Sequence, residues 1–389
     1  MMDDFGKILE DLSEEGRLRH IPHHRETAEG LYDLCSNDYM GMARRSGEWR
    51  EEFLSRFGNE AMTASASRLL ACDQNTFTRL EDYLADLYSS PALLFNSGYH
   101  ANVGIISALS IPGTLWVVDR LIHASAIDGL RLGGADFKRW RHNDTTHLRR
   151  ILENEKGKHK RVVVMCESVY SMDGDFAPLT EICELKLNYP EMMIYVDEAH
   201  AIGVYGHKGA GLADELGLLD RIDIAVGTLG KACASVGAFA ITSKELREYL
   251  VNTARSLIFS TAIAPANAAW SLLMLEKLAG MDEERMHLRS ISEKFRRGIE
   301  RITGEPNPSR SAIVPLITGD AEQAVDISRS LEREGVLALP IRRPTVPPGG
   351  ERIRFSLNSS LTEADIDLLL YKIEKALKTS RGTKNADRN

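Results

Sequence analysis

Apolar positions follow two rhythms along this chain. Between residues 92 and 241 they gather in short unbroken runs at Ala92–Phe95, 115–118, 162–165, 192–196, 222–226 and 236–241. The runs are rich in branched residues and do not alternate with polar ones. That pattern predicts strands buried on both faces of a largely parallel sheet. Segments of helix length lie between most of them, such as 145–155 and 178–188. Elsewhere the period is helical. Phe5, Ile8, Leu9 and Leu12 predict a helix over 4–19, and Phe77, Leu80, Tyr83, Leu84 and Leu87 predict one over 76–88. Together these elements predict a layered α/β domain over roughly 41–280.

A longer amphipathic stretch follows at 282–302, with Met286, Leu288, Ile291, Phe295 and Ile299 on one face. It carries the chain out of the large domain. Beyond it come a strand at Ile313–Ile317, a helix at 321–334, a strand at 352–357 and a helix at 362–377, which read as a small α+β domain. The tail from Thr379 is polar and is expected to fray. The expected division is an N-terminal arm at 1–40, a large domain at 41–281 and a small domain at 282–389.

Composition narrows the class. At 389 residues the chain exceeds the size at which one core stops growing, so at least two lobes are expected. The net charge of -8 offers no surface for nucleic acid or acidic membrane. No apolar run is long enough to span a bilayer, and the first fifteen residues lack a signal-peptide core. Cys35, Cys72, Cys166, Cys183 and Cys233 are scattered without metal-like spacing. An odd set of this kind reads as reduced thiols in a cytoplasmic protein, with no metal expected.

The chemistry gathers at the ends of the apolar runs, where open α/β sheets bind ligands. Asp197 closes 192–196, and His200 follows three residues later. Thr228 closes 222–226, and Lys231 follows among Gly230, Ala232, Cys233, Ala234, Ser235 and Gly237, where little bulk shields it. Glu167 and Ser168 close 162–165, with Ser171 in the next loop. A strand-end aspartate also caps helices, and most lysines are solvated surface groups. Taken together, a Schiff-base lysine and a carboxylate able to pair with a pyridinium nitrogen are what pyridoxal phosphate (PLP) chemistry needs. Asn96-Ser-Gly-Tyr99 follows a run and precedes a helical segment, an arrangement that presents backbone N–H groups to an anion. Taken alone, the segment is better explained by a plain glycine turn. His123 follows another run and suits either ring stacking or a helix cap. Arg352 and Arg354 fall on one face of a strand, where arginine can clamp a carboxylate with two hydrogen bonds.

These motifs, in this order, resemble the α-oxoamine synthases. The anchors are Ser36-Asn-Asp-Tyr-Met-Gly41, Leu94-Phe-Asn-Ser-Gly-Tyr99, Asp119-Arg-Leu-Ile-His-Ala-Ser125, Ser171-Met-Asp-Gly174, Val196-Asp-Glu-Ala-His200 and Thr228-Leu-Gly-Lys231. The resemblance runs over nearly the whole chain. It implies a type I PLP-dependent transferase fold of the aspartate aminotransferase kind, and a homodimer with shared sites. Arg141-His-Asn-Asp144, Thr146-His-Leu148 and Ile341-Arg-Arg-Pro-Thr-Val-Pro347 are most similar to the branch that condenses L-alanine with a pimeloyl thioester in biotin biosynthesis.

The resemblance also implies roles. Lys231 holds the cofactor covalently and moves protons, Asp197 pairs with the ring nitrogen, and His123 stacks on the ring. Ser171 and His200 contact the ring oxygen and neighbouring groups. Gly98, Tyr99 and Thr228 bind the phosphate, and Ser260 and Thr261 reach the phosphate of the partner subunit. Asn37 and Arg354 hold the amino-acid carboxylate. Arg342, Thr345 and Arg19 line the acyl or thioester side. Two departures stand out. The family's Gly-rich stretch before a Ser-Arg pair is here Thr63-Ala-Ser-Ala-Ser-Arg68. Alanine tolerates positive φ poorly, so this loop's geometry and the acyl specificity are expected to differ. Ala201-Ile202 stands where smaller residues are usual and is expected to narrow the pocket.

Overall fold

The computed structural model describes residues 2–15, 17–19, 21, 31–71 and 74–386; Cys72 lies outside them. Contacts group the chain into two units. The smaller comprises Met1–Asn37, Met172–Gly174 and His287–Asn389; the larger comprises Asp38–Ser171 and Asp175–Met286. Where the sequence suggests a separate arm over 1–40, the segment to Asn37 belongs to the smaller unit. Its backbone shows why: Tyr32–Asp33 pairs in parallel with Val336–Leu337.

The larger unit is built on a seven-stranded sheet. Its order is Ala92–Phe95, Ala238–Thr242, Ile224–Thr228, Met192–Asp197, Arg161–Glu167, Thr114–Asp119 and Asp136–Trp140. The last five run parallel, and Ala238–Thr242 is antiparallel to both its neighbours. All six residues of Thr114–Asp119 are buried, as are all five of Ile224–Thr228. Branched side chains pack there on both faces, and each one fully removed from water contributes about 1.5–3 kcal/mol. Trp116, Met165, Tyr195 and Val226 lie in one core cluster with Ala101, Ile105 and Leu130 of the helices Gly98–Leu109 and Ala124–Leu132.

Parallel strands joined by helices leave their carboxyl ends on one edge. The turns after Phe95, Asp119, Glu167, Asp197 and Thr228 therefore open on the same side of the sheet. The edge strand Asp136–Trp140 escapes the apolar reading because four of its five residues are exposed and only Trp140 is buried.

The smaller unit holds a three-stranded antiparallel sheet in the order Pro340–Ile341, Arg352–Ser356, Ile313–Ile317. The helices Ala321–Arg333 and Glu363–Ala386 belong to it. Two expectations are corrected here. The first helix ends at Glu14 rather than near residue 19, and its Phe5, Ile8 and Leu9 face is exposed. The chain beyond Thr379 is helical as far as Ala386, an extension of a helix that already has its nucleus.

Candidate active site

At the carboxyl edge of the large sheet, Lys231 Nζ lies 2.9 Å from His200 Nε2. The other nitrogen of that ring, Nδ1, lies 2.7 Å from the Tyr39 hydroxyl. Lys231 stands in a turn closed by the Ala234 amide donating to its carbonyl. Ala234 itself has a φ of 47°, so the small-residue turn includes one non-glycine in the left-handed region.

Asp197 is buried and doubly held. Asn102 Nδ2 donates to its Oδ2 at 2.8 Å, and the Ala199 amide donates to its Oδ1 at 2.9 Å. Asn102 is itself fixed, accepting from the Tyr195 hydroxyl at 2.7 Å and donating to Ser125 Oγ at 3.0 Å. Ser125 in turn lies 2.7 Å from His123 Nδ1. Asn102 was not legible as a site residue. Its one signal is an amide inside an otherwise apolar helix, and only the fold shows that it faces Asp197.

His123 is the N-cap of the helix Ala124–Leu132, accepting from the Ser125 amide through Nδ1. The capping alternative is thus what its Nδ1 does, while the residue as a whole remains exposed. Desolvation at its enclosed end is the leading cause that lowers its pKa. The Lys231 charge lowers it further, against an opposing effect of Asp197. A neutral ring that can lie against a flat ligand follows.

The anion-binding features also converge. Ser97 caps the helix Gly98–Leu109, accepting from the His100 amide at 3.2 Å. A Cβ built on Gly98 would sit 3.8 Å from Thr228 Cβ, and one on Gly230 would sit 3.7 Å from Thr228 Oγ1. The Thr228 hydroxyl therefore lies between two positions without side chains, beside a helix N-terminus. Thr228 donates to the Gly237 carbonyl at 3.2 Å. Tyr99 donates to Asp128 at 2.7 Å and is half exposed. Asn96 Nδ2 donates to Ser260 Oγ at 2.9 Å and also to the Thr261 carbonyl, which ties that segment to the Ser97 turn. Ser171 donates its amide to Glu167 Oε2 at 3.3 Å.

This set fits PLP. It offers a lysine amine, a clamped carboxylate for a ring nitrogen, a neutral imidazole, and a helix N-terminus with a hydroxyl for a phosphate. A cysteine nucleophile fits poorly: Cys166, Cys183 and Cys233 are buried, and burial pushes the Cys183 thiol up to about 11. Among the described residues no group of His, Cys, Asp and Glu could hold a metal.

The remaining expected site residues lie in the smaller unit. Arg354 is buried and donates to Asn37 Oδ1 at 3.0 Å and Ser356 Oγ at 2.8 Å, so Asn37 and Arg354 do come together. Arg352 is committed elsewhere, to Asp173 at 2.6 Å and to the Gly350 carbonyl at 2.7 Å. Arg19 donates to Thr345 Oγ1 at 3.0 Å. Both line a groove of about 1150 Å³ with Arg342 and Arg329. Burial, with the Arg19 and Arg329 charges, lowers the Arg342 pKa.

The two departures resolve differently from expectation. In the Thr63–Arg68 loop it is Ser65, at φ 50°, that takes the left-handed conformation; neither alanine does. Arg68 turns inward to Glu81 at 3.2 Å and over the Phe77 ring. Ile202 is buried, against Gly227, where an added Cβ would lie 2.9 Å from Ile202 Cγ1.

Residues 29–373 match the family model for class I and II aminotransferases. The 8-amino-7-oxononanoate synthase of Haemophilus ducreyi is 43% identical over 385 residues, covering 95% of this chain and 99% of that protein. Among solved structures, a point variant of the serine palmitoyltransferase of S. paucimobilis, with bound PLP-myriocin aldimine, aligns with a TM-score of 0.86 at 28% identity, over 97% of this chain and 98% of that one. The 8-amino-7-oxononanoate synthase of Francisella tularensis aligns with a TM-score of 0.75 at 26% identity, over 91% and 99%. With the lysine, clamped carboxylate and helix N-terminus on one sheet edge, these matches show that the chain belongs to the class I and II aminotransferase family, in its α-oxoamine synthase branch, with the type I fold of PLP-dependent enzymes.

Proposed function

We propose that this protein is a PLP-dependent acyltransferase that condenses L-alanine with a pimeloyl thioester. The products are 8-amino-7-oxononanoate, carbon dioxide and the free thiol, a step of biotin biosynthesis. The observation that carries the chemistry is the pairing of Lys231 with His200 at 2.9 Å beside an Asp197 held by two donors. The similarity to synthases of this name carries the choice of substrate.

When bound, PLP supplies the electron sink that makes the Cα proton of an amino acid acidic. The chain's own groups do the rest. Asp197, oriented by Asn102 and the Ala199 amide, would pair with the ring nitrogen. Lys231 Nζ takes the Cα proton and later returns one, with His200 at hydrogen-bond distance to steady its amine. Thr228, Gly98 and Tyr99 hold the phosphate, with Ser260 and Thr261 serving the partner subunit's cofactor. Ser171 and His200 would contact the ring substituents, and His123 would lie against the ring and offer a hydrogen-bond donor to the substrate ketone. Asn37 and Arg354 hold the amino-acid carboxylate, while Arg19, Arg342 and Thr345 serve the acyl side.

A second reading is a sister activity, such as serine palmitoyltransferase. The backbone aligns more closely with that enzyme than with the F. tularensis synthase, at TM-scores of 0.86 and 0.75. Backbone agreement reports fold, whereas substrate choice resides in side chains, so the higher identity to the H. ducreyi synthase supports the first reading. The test is thiol release by the PLP-loaded protein given pimeloyl-CoA with L-alanine, glycine or L-serine in parallel. Release that depends on alanine supports the proposal. Release only with glycine or serine, or only with another acyl thioester, moves the enzyme to a sister activity.

A further inference from the structure

Glu167 and Asp197 are register partners on neighbouring parallel strands, both at the carboxyl edge. Adjacent strands run about 4.8 Å apart, so two carboxyl groups at register positions on them do not both ionise cheaply. Their surroundings are unequal. Asp197 receives two donors at 2.8 and 2.9 Å. Glu167, only 3% exposed, receives the Ser171 amide at 3.3 Å on Oε2 and a weaker pull from the His123 backbone, and its buried Oε1 has no hydrogen-bond partner.

We propose that Glu167 is the protonated member of this carboxyl pair, a positioning residue that spares Asp197 and Lys231 a second negative charge and so keeps Lys231 a competent base. Several charged and titratable groups face it. Asp197 lies on one neighbouring strand, Lys231 after the strand beyond, and the His123 backbone in the turn after the other neighbouring strand. Burial raises the pKa of the Cys166 thiol and the Tyr170 hydroxyl, and the Glu167 charge also reaches them and raises both further. Burial, then the Asp197 charge, pushes the Glu167 carboxyl up to about 8 despite the opposing charge of Lys231. A second anion here would raise the proton affinity of Lys231, which must be unprotonated to take a proton. Glu167 was visible in the sequence only as a strand-end residue. The structure adds the unpartnered oxygen and the register with Asp197.

The inference rests on the cofactor reading above and not on the identity of the acyl substrate. Infrared spectroscopy of the PLP-free protein tests it directly. A protonated-carboxyl C=O band that disappears through about pH 8 should be present at neutral pH and be missing in Glu167→Gln, which keeps only a component lost through about pH 7. The other buried glutamate that titrates near neutrality is Glu198, raised to about 7 by burial. If Glu167→Gln does not fold, survival of the band titrating near 8 in Glu198→Gln assigns it. In the folded Glu167→Gln protein, the neutral-pH dissociation constant for PLP should change by less than about threefold, because one neutral group replaces another. The dependence of the cofactor's visible absorption on pH above about 8 should be lost. Absence of the band from the wild-type protein at neutral pH overturns the inference. So does a neutral-pH change in PLP affinity on the order of tenfold or more, the mark of a removed charge. A wild-type protein that binds no PLP sinks the cofactor reading instead, while the infrared titration still reports where the proton sits.

Discussion

Lys231 stands in a turn of small residues and owes its reactivity to neighbours rather than to its own type. Its amine has His200 at 2.9 Å, and Asp197 is held by Asn102 on the same sheet edge. Replacing Lys231 with alanine removes both the covalent anchor and the proton carrier. Turnover should fall on the order of 10³-fold or more, and the mass adduct fixed by borohydride in the wild-type protein should vanish. A Lys231→Ala protein that keeps either would overturn the assignment. Asn102 teaches the complementary point at this scale. One amide fixes Tyr195, Asp197 and Ser125 together, so it sets the geometry of two site residues without being predictable from any motif.

Between elements, the site's loops are pinned by His142. Its Nδ1 lies 2.9 Å from Asp119, at the end of Thr114–Asp119, and its Nε2 lies 2.8 Å from Asp175, beyond the Ser171 loop. Asn143 adds bonds to the same two carboxylates. Burial opposes the charge of the imidazole, yet the two carboxylates raise its pKa to about 10. The folded value lies above the unfolded one near 6.5. This contribution to stability is therefore complete below about pH 6.5 and is lost as pH rises toward 10. Thermal melts should show the wild-type midpoint falling across that interval, with a flatter dependence in His142→Gln. His142→Ala should cost about 3 kcal/mol at neutral pH, since it leaves two carboxylates facing one another. A wild-type melting profile that stays flat from pH 6.5 to 10 would show that the clamp is not charged.

At the scale of the whole molecule, the larger unit exposes Met62, Leu70 and Phe259, each at least 70% accessible. Such side chains are candidates for cover by another chain. With the shared site that the family resemblance implies, the expectation is a homodimer. Sedimentation should give twice the mass of the 43.3 kDa chain. Phe259→Glu should weaken association by about tenfold or more, as hot-spot aromatics do. A wild-type monomer at micromolar concentration would refute this. Within the larger unit, Arg68 is drawn inward to Glu81, which also accepts from Arg247 at 2.9 Å, so the altered Thr63–Arg68 segment is tied to its own chain.

The sequence by itself determined the elements and the chemistry carried by local pattern. Unbroken apolar runs located the buried strands, because a strand covered on both faces cannot place polar residues on either. Helical spacing located the long helices, and the order of short motifs located Lys231, Asp197, His123 and Thr228. What pattern could not reach was pairing at a distance. The polar edge strand Asp136–Trp140 has an exposed face and therefore no apolar signature. The left-handed residue of the Thr63–Arg68 loop proved to be Ser65, because backbone strain is placed by the closing of a loop and not by composition. Arg352 and Arg354 look alike two positions apart, yet one is held by Asp173 and the other meets Asn37. The register that sets Glu167 beside Asp197, the reach of Asn102 and the span of His142 exist only once strands are paired. Electrostatic energy depends on separation in space, and separation along the chain does not encode it.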